Sequence, residues 1–330
     1  MKAVNNILGS AASAVSRFGL VGVGHMGQGI ARNVLAKKSK RMSFSVYDVS
    51  PANVSSLSGG DIHIAESLED LTSRSDVIAL SLPSKEAQDR VLFGPEGIMQ
   101  AVVKQDRFEP LIVVDHGTFP HSFVLDCHST LSRQGISYVD APVSGGPAGA
   151  ASGSLSVMIG CTMPELSKLT PVLQLYASNI SRFGATGSGM AAKLVNQLLV
   201  GVHAQAAAEA IALAERMKLD MSILSEMLVL SWGHSRVQQL VMNDYIRIQK
   251  SPQGWALMDG PTGAPLRNLD KDFGCVLEAL AGAGADSGLT LPTTRATAEA
   301  ISHACAAGRQ DGPFATLLEN LRARPPPNST

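Results

Sequence analysis

The 330-residue sequence predicts an α/β fold on a doubly wound parallel sheet, followed by an all-α half. Three observations predict it. From Phe18 to about Val143, short runs rich in Val, Ile, Phe and Tyr alternate with segments of helical apolar spacing. A series of glycines stands where the first run gives way to the first helix. From Gly189 onward strand-like runs cease, and Ala- and Leu-rich stretches with helical propensity take over.

Taken in order, "FGLVGV", "SFSVYDV", "DVIALSLP", "PLIVVDHG" and "ISYVDAPV" read as strands, each ending in Gly, Pro, Asp or Ser. Between them "GQGIARNVLAKK", "KEAQDRVLF" and "SFVLDCHSTLSRQ" carry the spacing of amphipathic helices. Such alternation implies parallel strands with helices on both faces, and ligands then bind beyond the strands' carboxyl ends. "SLSVMIG" and "MPELSKLTPVLQLYA" add a further strand and helix, extending the α/β part to about Gly184. A long helix is expected from Gly189 to Met217, then helices in "MSILSEMLVLSW", "SRVQQLVMNDYI", "KDFGCVLEALAGAGA", "LPTTRATAEAISHACAAG" and "PFATLLENLRA". "MDGPTGAPLRNL" reads as a loop. The expected organisation is a flexible N-terminal segment over 1–17, a dinucleotide-binding domain over 18–186, a helical domain over 187–323 and a disordered tail over 324–330.

Composition narrows the function. A net charge of −1 without a basic stripe argues against nucleic acid. Hydrophobic residues make up 45% and charged residues 17%, below the roughly 25% usual in soluble proteins, which points to a large core or to surface shared between subunits. The four cysteines form no CxxC pair, so neither a zinc site nor a disulfide framework is expected. No uninterrupted apolar stretch of membrane-spanning length is read, because the Ala-rich run carries His203, Gln205, Glu209 and Glu215. A cytoplasmic location follows. The alternative is mitochondrial, since the first 17 residues have Lys2, Arg17, several Ser and Ala, and no acid.

The glycines carry the chemistry. Gly22, Gly24 and Gly27 satisfy G-x-G-x-x-G between a strand and a helix, where His25 and Met26 fill the turn. Glycine permits the tight turn and close backbone approach, and the helix start offers N–H groups to a pyrophosphate. Asp48 ends the next strand, 21 residues past Gly27, at the spacing of a ribose-binding acid. Its carboxylate would repel an added ribose phosphate, which favours NAD over NADP. The alternative is that Asp48 opens a turn before Pro51.

With these residues in place, the sequence resembles the β-hydroxyacid dehydrogenases, the family of 3-hydroxyisobutyrate dehydrogenase, tartronate semialdehyde reductase and, more distantly, 6-phosphogluconate dehydrogenase. Four blocks carry the resemblance: "GLVGVGHMGQGIARN", "DAPVSGGPAGAASGSLSVMIG", "GATGSGMAAKLVNQ" and "LDKDF". It implies a Rossmann-type first domain, Lys193 as catalytic acid/base and Asn196 as a residue holding substrate. Ser144, Gly145 and Gly146 would grip the substrate carboxylate, Lys271 would stand beside the nicotinamide, and Asp272 would orient it or cap a helix. Leu82 and Pro83 match a loop along the cofactor, and Thr118 a threonine near it, although Gly117 stands where the family usually has serine. His116 and His121 read as loop residues, with no third metal ligand at recognisable spacing.

The implied reaction is hydride transfer between NAD(P) and a small 3-hydroxy acid of the 3-hydroxyisobutyrate type, in a homodimer or homotetramer, with no membrane partner. A four-carbon sugar acid such as threonate, or tartronate semialdehyde, is the alternative substrate. A dinucleotide-binding sensor or scaffold is the non-enzymatic alternative, and the presence of Lys193 counts against it.

Overall fold

The computed structural model describes residues 15–57, 59–105, 110–251, 264–282 and 289–322. The chain divides into two compact units, meeting in sequence between Lys193 and Leu194.

The first unit holds β1 (Arg17–Val21), α1 (His25–Lys37), β2 (Ser43–Tyr47), α2 (Pro51–Ser55), β3 (His63–Ile64), α3 (Leu68–Ser73), β4 (Val77–Leu80), α4 (Lys85–Phe93), α5 (Ile98–Gln105) and β5 (Ile112–Asp115). It continues with α6 (His121–Ser132), β6 (Ser137–Asp140), β7 (Val143–Ser144), α7 (Gly146–Ser152), β8 (Leu155–Gly160), α8 (Met163–Leu173) and β9 (Ala177–Gly184). The strands lie in the order β3-β2-β1-β4-β5-β6-β8-β7, with β9 beside β8. From β3 to β6 every pairing is parallel. The central strands "VIAL" and "IVVD" are buried at every position, as strands covered on both faces require.

Two expectations need correction here. The sheet is parallel-dominated but mixed: β9 pairs parallel with β8, whereas β8 runs antiparallel to β6 and β7. Residues 145–154 are too few for the dozen or so that a parallel crossover needs, so the chain turns back. Residues 15–17, part of the N-terminal segment expected to be flexible, are ordered: Val15 is buried, and Arg17 pairs with Ser43 and holds Asp76. Residues 1–14 lie outside the described residues.

Helix α1 crosses α7 closely. A Cβ on Gly29 would stand 2.6 Å from the carbonyl carbon of Ala150, so only glycine allows the approach. Asn33, one turn on, donates from Nδ2 to the carbonyls of Gly29, Ala150 and Ala151 at 2.9 to 3.0 Å.

Helix α9 (Ser188–Arg216) runs from the first unit into the second, which continues with α10 (Met221–Val229), α11 (Arg236–Gln249), α12 (Leu266–Gly282), α13 (Pro292–Ala304) and α14 (Leu318–Arg322). The expected boundary at 186 moves to 193, because the first turn of α9 is bound to the sheet through Asp140, as described below. Ala204, Ala207, Ala208 and Ile211 form the buried stripe of α9 and pack with Val241, Leu269, Phe273 and Leu317. Gly201 makes room for the Phe273 ring, which a Cβ would approach to 2.0 Å.

The loop expected over 258–269 ends sooner, at the start of α12; its earlier residues and the 324–330 tail lie outside the described residues. Helix α9 is, against expectation, long and apolar enough to cross a membrane by length and composition alone, since its acidic residues Glu209 and Glu215 sit near its C-terminal end. Its buried stripe serves the core of the second unit.

His116, expected as a loop residue, follows β5 but is a buried core residue. Its Nδ1 lies 2.7 Å from the Ala141 carbonyl, which can only accept, so Nδ1 carries the proton and Nε2 accepts from the Tyr176 hydroxyl at 2.9 Å. Burial pulls its pKa down to about 4. Asp140 is also buried, and burial pushes its carboxyl up to about 6 despite backbone donors that favour the anion.

These shifts have opposite signs in stability. The contribution of His116 is present above its unfolded value near 6.5 and is lost as pH falls to about 4, an effect of about 3 kcal/mol. That of Asp140 is present below 3.8 and is lost as pH rises through about 6, again about 3 kcal/mol. The two offset each other between pH 6 and 4. Asp140→Asn removes the offset, so urea unfolding of that variant should lose about 2 kcal/mol more over this window than the parent. Equal pH slopes for the two proteins would refute the assignment.

Candidate active site

The parallel strands bring their carboxyl ends into one row: Tyr47 pairs with Val21, Val21 with Leu80, Leu80 with Asp115, and Asp115 with Asp140. The segments bearing Gly22 to Gly27, Asp48, Leu82 and Pro83, and Thr118 all leave the sheet just beyond this row. That edge is where a doubly wound sheet binds ligands.

Gly22 has φ +88°, and a Cβ there would stand 2.3 Å from the Ser81 carbonyl and 3.2 Å from the Leu82 side chain. Its N–H donates to the Tyr47 carbonyl at 2.9 Å. Gly27 is packed as tightly, 1.9 Å from a hypothetical Cβ to the Gly22 oxygen. Gly24 differs: it precedes α1, a Cβ there would meet nothing within 4 Å, and no side chain caps the helix. The N–H groups of His25, Met26 and Gly27 therefore open the helix without a capping side chain, beside open space. That combination fits a dinucleotide pyrophosphate. His25 is exposed, whereas the Met26 side chain packs on the core, leaving its backbone for a ligand.

Asp48 is half-buried. One carboxylate oxygen accepts from Val23 N–H at 2.6 Å, and the other from Ser50 N–H at 2.8 Å and Asn53 Nδ2 at 3.1 Å. The acid thus makes the turn read as its alternative role and also pins the glycine loop to the end of β2.

The Gly117 departure has a steric cause. A Cβ at 117 would come within 2.2 Å of the buried Phe119 ring, so a serine has no room while that ring stands there. Gly117 N–H donates to Asp115, which also accepts from Gln88 and from Tyr138. This fully buried carboxylate was missed by sequence reasoning, although its place at the end of "IVVD" marked the strand's carboxyl terminus. Thr118 follows, half-buried.

Beyond β6, Asp140 accepts from Gly187 N–H at 2.7 Å and Met190 N–H at 2.6 Å. Its carboxylate satisfies donors at the start of α9 and ties that helix to the sheet edge. Lys193 comes one turn after Met190 and is only 7% exposed. Downstream of Asp140, Ser144 ends β7, and Gly145 and Gly146 adopt φ of +129° and +61°; a Cβ on Gly146 would meet nothing within 4 Å.

The second unit carries a chain of polar side chains. Lys271 Nζ donates to Asp272 at 2.8 Å, Gln197 Nε2 donates to the other oxygen of Asp272 at 2.5 Å, and Asn196 Nδ2 donates to Gln197 Oε1 at 2.9 Å. Asn196 and Lys271, singled out separately from the sequence, are thereby joined. Asp272, expected to orient Lys271 or to cap a helix, is in contact with the Lys271 amine. The linking role of Gln197 was not foreseen, because it depends on a residue 75 positions away. His121 opens α6, and among the described residues no cluster suited to a metal ion occurs.

Comparison with known proteins agrees with this geometry. Residues 17–197 match the family described as the NAD binding domain of 6-phosphogluconate dehydrogenase, and residues 187–321 match the NAD-binding family of NADP-dependent 3-hydroxyisobutyrate dehydrogenase. The chain is 30% identical to 2-(hydroxymethyl)glutarate dehydrogenase of Eubacterium barkeri, over 89% of this chain and 92% of that one. It is 34% identical to L-threonate dehydrogenase of Cupriavidus necator, over 69% and 76%. The solved structure of Mycobacterium tuberculosis 3-hydroxyisobutyrate dehydrogenase with L-serine aligns at a TM-score of 0.75 and 26% identity, over 93% of this chain and 99% of that one. The two matched families together span both units, and with the glycine loop, Asp48 and Lys193 in place, the chain belongs to the β-hydroxyacid dehydrogenase family of NAD(P)-dependent oxidoreductases.

Proposed function

We propose that the protein oxidises a small 3-hydroxy acid reversibly, with Lys193 as the acid/base and NAD preferred over NADP. The observation that carries this reading is a buried lysine set one turn beyond the Asp140-anchored start of α9. Bound at the glycine loop, the nicotinamide dinucleotide supplies the hydride acceptor. Lys193 Nζ takes the hydroxyl proton in oxidation and returns it in reduction. Held out of bulk water, the amine exchanges protons with the bound hydroxyl rather than with solvent. Asn196, three residues on, holds the substrate, and Ser144 with the Gly145 and Gly146 N–H groups takes the carboxylate. Lys271, oriented by Asp272, adds positive charge for the acid or the nicotinamide carboxamide.

The cofactor preference rests on Asp48, whose carboxylate would face a ribose hydroxyl favourably and a ribose phosphate unfavourably. Exposed Ile223, Met227, Leu230 and Trp232 support a homodimer or homotetramer built through the helical unit.

Lys193→Ala should lower kcat by about 10² to 10⁴, the usual worth of a general acid/base, while NADH binding followed by fluorescence is retained. Absence of turnover by the parent across a broad panel of 3-hydroxy acids, with NADH still bound, would favour the sensor instead. The parent should use NAD with a kcat/KM at least about tenfold above that for NADP, the factor expected from about 1.4 kcal/mol of lost carboxylate pairing and added repulsion. Asp48→Ala should narrow that ratio and weaken both cofactors, because the same carboxylate holds Val23. A ratio unchanged by the substitution would remove Asp48 from cofactor selection.

A further inference from the structure

We infer that Gln197 and Asp272 are positioning residues that turn the carbonyl oxygen of Asn196 toward the substrate, selecting acids with a hydrogen-bond donor, hydroxyl or ammonium, beside the reacting carbon. The inference rests on the reading above that Asn196 touches substrate. Its own evidence is the direction of the polar chain.

That direction follows from donor and acceptor inventory alone. Lysine can only donate, so Lys271 must give a proton to Asp272. A carboxylate can only accept, so Gln197 must face Asp272 with its amide nitrogen, not its oxygen. The Gln197 oxygen is then on the opposite side of the amide, and the Asn196 group facing it must be the NH₂. Asn196 is planar, and with its nitrogen turned to Gln197 its Oδ1 lies on the other edge. The amide orientation, ordinarily ambiguous between O and N, is set here by a charge at the far end of the chain. Gln197 and Asp272 are both buried, at 8% and 7% exposure, so water competes weakly for these bonds.

An acceptor at this position is poorly matched to the reacting group itself, whose oxygen becomes a carbonyl and needs donors. It is well matched to a neighbouring substituent that keeps its proton throughout, such as a 2-hydroxyl or 2-ammonium. A 2-methyl or 2-methoxy group offers it nothing and leaves Oδ1 unpaired.

The test uses the isosteric substitution Asp272→Asn. An asparagine at 272 can accept from Lys271 and donate to Gln197. Gln197 then turns over, Asn196 turns over in response, and the site presents NH₂ in place of oxygen. Initial rates would be measured with 3-hydroxy acids bearing 2-hydroxyl, 2-amino, 2-methyl or 2-methoxy groups. The parent should prefer the 2-hydroxy or the 2-amino acid over the 2-methoxy acid by at least about tenfold in kcat/KM, the worth of one such bond. In Asp272→Asn the ratio should fall toward one, mainly through KM for the donor-bearing acid, and Gln197→Leu should likewise lose discrimination. An unchanged ratio in Asp272→Asn, with turnover retained, overturns the inference.

A second readout does not need turnover. In protein labelled with ¹⁵N at Asn and Gln side chains, the Gln197 amide proton should resonate downfield in its charge-assisted bond and move upfield in Asp272→Asn, with the Asn196 NH₂ shifting too. Unmoved resonances would sink the polar chain. A parent inactive on every acid but showing these shifts would sink the dehydrogenase reading alone.

Discussion

The grip of the Asp140 carboxylate on the start of α9 is the constraint on which the proposed chemistry depends. The acid ends β6, in register with Asp115, and its oxygens accept from Gly187 and Met190. A helix start leaves several N–H groups unsatisfied, and when it is buried against a sheet those donors need an acceptor that water cannot be. Asp140 meets that need with charge, at a desolvation cost visible in its raised carboxyl pKa. The result is a fixed phase for α9: once residues 187 and 190 are held, the direction of Lys193 follows from helical geometry.

Two helix starts in the first unit are treated in opposite ways. At α9 a buried carboxylate supplies the acceptor. At α1 no side chain caps the first turn, and Gly24 lies beside open space. Most other helices of this unit carry their own caps or a proline: Ser67 and Ser84 cap α3 and α4, and a full capping box opens α8. The first turn of α1 has neither a side-chain cap nor a proline, and its start stands beside open space. Asp48 supports it from the side, since its bond to Val23 keeps the loop from closing over its own N–H groups.

What the sequence disclosed was what depends on neighbours in sequence. Helix α4 is legible to the residue because Ser84 starts it and Gly94 stops it. The glycine loop is legible because strand, turn and helix are contiguous. Strand β3 has two residues and β9 has Ser, Asn and Arg in place of an apolar run; each exists because an edge was available to pair with, which no local pattern records. The reversal at β8 is likewise a matter of connection length. In the site, Lys193 and Asn196 were found by their motif, whereas the anchoring by Asp140 and the bridging by Gln197 join residues 47 to 75 positions apart.

The substitution of glycine for the usual serine at 117 shows how one local exchange is absorbed. Phe119 fills the volume that the serine side chain would need, and the backbone N–H of Gly117 donates to Asp115, where Gln88 and Tyr138 also converge. Asp115 is fully buried beneath the sheet edge. Asp115 thus collects three donors beneath the loop that carries Thr118, while the Oε1 of Gln88 is buried without a hydrogen-bond partner of its own.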